Sequence, residues 1–164
     1  MKKNRTLTEG ISIIEILVVI AILAVSFVSL LGMISFSLSA SGILKQRLEA
    51  DFLAQDTMEA VRNFRDETVW QSDGLGILTV DTAYYPQKTA GTPIKWILTL
   101  GSENIGIFTR KAVFEKVFRD SNDNIASSGV EDLNTKKAVV IVSWQEKGRT
   151  HSVELITYFT NWRQ

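Results

Sequence analysis

The sequence contains no cysteine, one histidine and two prolines. Without cysteine there is no disulfide, no thiol nucleophile and no thiolate metal site, so a domain facing an oxidising compartment must hold by its apolar core alone. A Ser/His/Asp arrangement would have to use His151. No nucleophile elbow accompanies that residue, and its place at a strand start beside a hairpin reads as a surface histidine on a sheet. A glycine-rich phosphate loop is missing too. So is an excess of either charge: 18 Lys and Arg stand against 18 Asp and Glu, which leaves no field to gather nucleic acid. The first proline is Pro86, so residues 1–85 run without the residue that most sharply breaks a helix.

What the chain has in excess is one apolar run. After a short basic leader come Glu9 and Gly10, then apolar residues from Ile11 interrupted by Glu15, and from 16 to 44 there is no charged side chain. A helix needs about 20 apolar residues to cross the hydrocarbon core, so this run spans a bilayer with some left over. An acid at bilayer depth costs about 2.5 to 3.5 kcal/mol on insertion scales, so Glu15 requires a cation. Lys2, Lys3 and Arg5 lie beyond Gly10, and the next basic residue is Lys45. A cut after Gly10 would supply the countercharge, because Ile11 would then carry an ammonium one helical turn from Glu15.

The string Leu7-Thr8-Glu9-Gly10-Ile11-Ser12-Ile13-Ile14-Glu15-Ile16-Leu17-Val18-Val19-Ile20-Ala21-Ile22-Leu23 resembles the N-terminal signature of type IV pilins and pseudopilins. The match covers roughly the first 30 residues and needs leader charge, glycine, apolar run and glutamate spacing to coincide. In that family a membrane peptidase cuts after the glycine and N-methylates the new first residue, and the glutamate serves methylation and pairs with a neighbouring subunit's amine during filament growth. The resemblance therefore implies Gly10 as the last leader residue, Ile11 as the methylated terminus and Glu15 as the assembly glutamate. Two departures stand out: the family most often has Phe or Met where this chain has Ile11, and many major pilins close a C-terminal loop with a disulfide that this chain cannot form. Gly32 falls where major pilins often carry a helix-breaking proline, and it weakens a helix by about 1 kcal/mol relative to Ala.

Two plainer readings compete. A secretory signal has an apolar core of about 7 to 15 residues followed by a small-residue cleavage site; residues 37–42 could supply the site, but the apolar block is too long and carries an acid. An uncleaved signal anchor would let Glu15 snorkel to the headgroups without explaining why the acid is inside. Three basic residues precede the run, favouring a cytoplasmic N-terminus with the larger domain outside, although Lys45 and Arg47 blunt the asymmetry. Leader removal would discard three basic residues and one acid, leaving 15 basic and 17 acidic.

Past Gly42, Leu44, Leu48, Phe52, Met58, Val61 and Phe64 recur mostly three and four apart, with Arg47 and Asp51, and Arg62 and Asp66, one turn apart. No turn cluster appears before Ser72-Asp73-Gly74, so one helix is predicted over 11–70, about 90 Å long. Ser26, Ser29, Ser35, Ser37 and Ser39 among large aliphatics suit close packing between helices, or are simply tolerated there. A loop-like stretch over 74–92, with a short strand near Tyr84-Tyr85, precedes strands predicted over 95–100, 106–119, 137–145 and 150–161. Ala138, Val140, Val142 and Trp144 alternate with Val139 and Ile141, so both faces are apolar, as in a central strand. Val153, Leu155, Thr157 and Phe159 alternate with polar residues, and Lys147-Gly148 makes a tight hairpin between these last two strands.

Asp120-Ser121-Asn122-Asp123-Asn124, with Glu131 beyond, loosely follows an Asp-x-Asn-x-Asn calcium loop. Ile125 stands where that loop needs glycine, and Asp and Asn equally mark an ordinary turn between strands. Tyr84, Tyr85 and Trp162 either contact partners or fill a core between sheet and helix.

The expected fold is α+β: a long N-terminal helix, half membrane-type and half amphipathic, packed on a C-terminal antiparallel β-sheet in pilin-like fashion. The expected organisation is a leader over 1–10, a transmembrane and assembly helix over 11–42, its amphipathic continuation over 43–70 and a sheet domain over 71–164. By the resemblance, the chain is a minor pilin or pseudopilin. It would be inserted as a precursor in the cytoplasmic (inner) membrane, cut after Gly10, methylated at Ile11 and assembled into a type IV pilus or a type II secretion-like pseudopilus. Its partners would be prepilin peptidase, other pilin subunits and the lipid bilayer, with no nucleic acid, cofactor, metal or catalytic residue expected. The alternative is a bitopic membrane-anchored binding or sensor domain that does not polymerise.

Overall fold

A computed structural model describes residues 12–162, and Gly10 and Ile11 lie outside the described residues. The chain divides into two units, residues 1–45 and residues 46–164. The fold is α+β, one long helix and a seven-stranded antiparallel sheet.

Helix α1 is Ile13–Glu67, slightly shorter at each end than the periodicity predicts. Without proline, nothing in this stretch removes a ladder hydrogen bond. Ser26 and Ser29 donate to the carbonyls of Ile22 and Val25 at 2.8 and 2.9 Å, so both hydroxyls are satisfied within their own helix. At its C-terminus the Thr68 hydroxyl donates to the Phe64 carbonyl, and Asp73 Oδ1 accepts the Val69 N–H at 2.7 Å. The Gly76 N–H then closes on the Trp70 carbonyl at 2.9 Å. A Cβ at Gly76 would collide with that carbonyl and with the Trp70 indole, so this turn requires glycine by close approach.

The strands are β1 (Ala83–Lys88), β2 (Trp96–Leu100), β3 (Glu103–Ile105), β4 (Phe108–Arg119), β5 (Ile125–Ala126), β6 (Val130–Glu146) and β7 (Arg149–Thr160). Their order is β2-β1-β4-β6-β7, with β3 and β5 both paired to β4. The apolar strand is internal, as its two apolar faces predict, and Lys147 and Gly148 turn it into β7 with φ of 48° and 76°. β6 starts seven residues earlier than the expected 137, and β3 and β5 were not expected at all. The early part of β6 is charged rather than apolar. It is held by cross-strand ion pairs, Lys116 with Glu131 at 2.8 Å and Arg119 with Asp132 at 2.7 Å, which hydropathy does not reveal.

Within residues 46–164, α1 runs antiparallel to β6. Three contacts fix this direction: Trp144 Nε1 donates to Gln46 Oε1 at 3.0 Å, Arg110 reaches Asp56 at 2.8 Å, and Trp70 Nε1 donates to the Leu133 carbonyl at 3.1 Å. The helix face on the sheet is Ala50, Ala54, Thr57, Met58, Val61 and Phe64. This corrects the predicted stripe, because Leu48 and Phe52 are 58% and 67% exposed. Small residues win the inward positions because Ala50 and Ala54 let the helix backbone approach the sheet. Opposite them pack Phe108, Ala112, Phe114, Ala138, Val140, Val142 and Phe159, the larger of them worth about 1.5 to 3 kcal/mol each when buried. The surface pairs also differ: Arg62 meets Glu59, and Asp66 meets Arg65.

Candidate functional site

Glu15 sits in the first turn of α1. The Ser12 carbonyl accepts the N–H groups of Glu15 and Ile16 at 3.0 and 3.2 Å, which makes Ser12 the residue that starts the helix. Ser12-Ile13-Ile14-Glu15 thus has the Ser-x-x-Glu spacing of a capping box, and the carboxylate lies where free backbone N–H groups and the helix dipole favour negative charge. The sequence reading missed this; the spacing itself was the available signal. Glu15 lines a shallow hollow with Ile16, Val19 and Ile20. Among the described residues it has no ion-pair partner. The Ile11 amine expected to meet it lies outside the described residues, as does Gly10.

Around Glu15 the helix is apolar on every side. Ile13, Val25, Met33 and Phe36 are between 69% and 77% exposed, and α1 is long and apolar enough to cross a membrane. From 16 to 44 the sequence carries no charged side chain that could offset Glu15. A surface apolar on every face is of the kind that lipid or other apolar helices can cover. No family model, curated protein or solved structure matches the chain.

The second electrostatic centre was not foreseen. Arg110 lies on the inward face of β4 between Phe108 and Ala112, only 8% exposed. Its guanidinium donates to Glu103 at 2.7 Å, Asp56 at 2.8 Å and the Thr57 hydroxyl at 3.4 Å. The inward charge therefore ties the β3 hairpin to α1. A basic residue at an inward position of an alternating strand was the signal for it, because a buried charge demands partners.

The other residues singled out by sequence take structural positions. Asp120 accepts the backbone N–H groups of Asn122 and Asn124 at 2.8 and 2.9 Å. Those bonds hold its carboxyl below the usual aspartate range. Glu131 is bonded to Lys116 across the sheet at 2.8 Å, so the two acids at the ends of the calcium-like spacing are engaged by the protein itself, as in an Asx turn. Among the described residues no three His, Asp or Glu side chains cluster as a metal site. His151 is half-buried and stacks on Trp144 with ring centroids 5.5 Å apart, while Phe108 meets the same indole edge-on at 5.7 Å. Tyr84 is buried against Phe114, its hydroxyl accepting the Thr79 N–H at 3.1 Å.

Proposed function

We propose that this chain is a minor pilin or pseudopilin: a precursor held in the cytoplasmic membrane by the apolar part of α1, cut after Gly10, methylated at Ile11 and assembled through that helix. The observation that carries the reading is Glu15, a lone carboxylate without an ion-pair partner among the described residues, at the start of a helix charge-free from 16 to 44. In lipid that carboxylate is a penalty; between packed helices, a neighbour's Ile11 ammonium turns it into a charge pair where water is excluded and attraction is strongest. Leaving the bilayer costs the helix little, because it trades lipid for equally apolar neighbours, while Glu15 sets the register. Leu48 and Phe52, exposed on successive turns, extend the apolar stripe of Leu44 into the part of α1 that also carries the sheet. The machine served is a type IV pilus or a type II secretion-like pseudopilus.

One observation favours a second reading, a bitopic anchored binding or sensor domain. The Ser-x-x-Glu spacing of Ser12 and Glu15 at the start of α1 would give the carboxylate a purely local role there. Intact-mass analysis of the native protein separates the two. A mature chain beginning at N-methylated Ile11 is the expected result, and a chain retaining Gly10 and the basic leader overturns the filament reading.

A further inference from the structure

Two hairpin turns and the start of the sheet-bound part of α1 come together at one end of the 46–164 unit. Phe108 pairs with Trp144, and Trp144 with His151, so the Gly106-Ile107 and Lys147-Gly148 turns project from the same end of the sheet. The Trp144 indole ties that end to Gln46 at 3.0 Å. Gln46 is only two residues past Leu44, where the charge-free run stops, a span of at most about 7 Å for extended chain. If 16–44 lies in lipid, chain connectivity puts Gln46 near the headgroups, and within the 46–164 unit the two turns share its end.

The chemistry of this rim fits that place. Ile107 is 56% exposed at the tip of its turn, although a polar residue would serve a solvated hairpin better. Arg47, Lys147 and Arg149 are all exposed. Of the acids at this end, Glu103 is bonded to Arg110 at 2.7 Å, Asp51 and Glu146, the latter opposite Arg149 in the register, are half-buried, and Glu49 is the exposed acid among the described residues there. One apolar tip flanked by three cations is the composition of a surface that inserts shallowly among anionic headgroups.

We infer that the Ile107 and Lys147 hairpins form a lipid-docking rim that seats the sheet domain on an anionic membrane surface while the subunit waits in the bilayer. The inference rests on the membrane reading of 16–44. It gives the stored subunit a fixed seat and makes release from the headgroups part of leaving the membrane.

The absence of cysteine permits single-site labelling of the full chain. Ile107→Cys, Ser121→Cys and Leu23→Cys would each carry an environment-sensitive fluorophore in vesicles of phosphatidylcholine with or without phosphatidylglycerol. Ser121 lies in the turn after β4, at the far end of the strand from Ile107 and roughly 40 Å away. With phosphatidylglycerol present, a headgroup nitroxide should quench the residue 107 label about fivefold more than the residue 121 label. Pure phosphatidylcholine, or Lys147→Gln with Arg149→Gln, should remove most of that difference. Equal quenching at 107 and 121, or the same quenching in both lipids, overturns the docking rim. The Leu23→Cys label separates the two failures: quenching there by an acyl-chain nitroxide leaves the membrane reading standing when the rim fails, and no quenching sinks both.

Discussion

Residues 13–44 and residues 46–67 belong to one α-helix, yet they satisfy its backbone in opposite surroundings. In the first stretch the large aliphatics are exposed, Ile13 at 77% and Phe36 at 76%; in the second, Ala50, Ala54 and Val61 are at 0%. Helix formation is therefore not what distinguishes them, since freedom from proline serves both. The difference lies in what covers the side chains. In the second stretch the chain's own sheet does so, and small residues mark the covered face. In the first, large residues point in every direction, which suits a surface that other molecules must cover.

Truncation sharpens this contrast most. Phe114→Ala empties a fully buried site under the helix and should cost about 3 to 5 kcal/mol of unfolding free energy. Leu23→Ala, of similar hydrophobic character but 51% exposed, should change that same transition by less than about 0.5 kcal/mol. Chemical unfolding of the detergent-solubilised chain, followed by tryptophan fluorescence, measures both; equal losses would mean that the two stretches are covered alike. A smaller effect is expected at the buried guanidinium. Arg110→Met keeps the volume but releases Glu103 and Asp56, whose side chains are 32% and 60% exposed and can rehydrate. The loss should be about 2 to 3 kcal/mol in the same experiment. A variant as stable as the parent would show that the clamp contributes nothing.

Acid should produce the smallest change, again confined to the sheet domain. Burial raises the Asp132 pKa, but hydrogen bonds from Thr135, Arg119 and the Asn134 N–H outweigh it, so the carboxyl titrates below its ordinary 3.8. A carboxyl whose folded pKa lies below its unfolded value stabilises the fold above about pH 4 and loses that contribution as pH falls through the folded pKa. Asp132→Asn should therefore flatten the acid dependence of stability below pH 4 by something on the order of 1 kcal/mol. An acid-unfolding curve that superimposes on the parent's would refute the assignment.

The parts of the molecule legible in the sequence were those written in apolar pattern. The uninterrupted helix, the central strand and the Lys147-Gly148 hairpin all follow from periodicity and turn chemistry, and all are present. Polar cooperation was harder to see. The first half of β6 is carried by Glu131 and Asp132 pairing across to β4, and β3 is held by Arg110; such partners become neighbours only once the sheet exists. The inward helix face was misread for a related reason, because hydrophobic strength favours Leu48 and Phe52 while close approach to a sheet favours alanine. At the candidate site, the spacing of Glu15 in the apolar run was plain, whereas its place in the first helical turn depends on where Ser12 starts the helix.

The most direct test of the central claim is to follow Glu15→Ala through the cell by quantifying the chain in membrane and sheared-filament fractions. The account predicts a variant that reaches the membrane at parental levels and is depleted at least about tenfold from filaments, a loss of about 1.4 kcal/mol or more in incorporation. Parental levels of Glu15→Ala in filaments would contradict it.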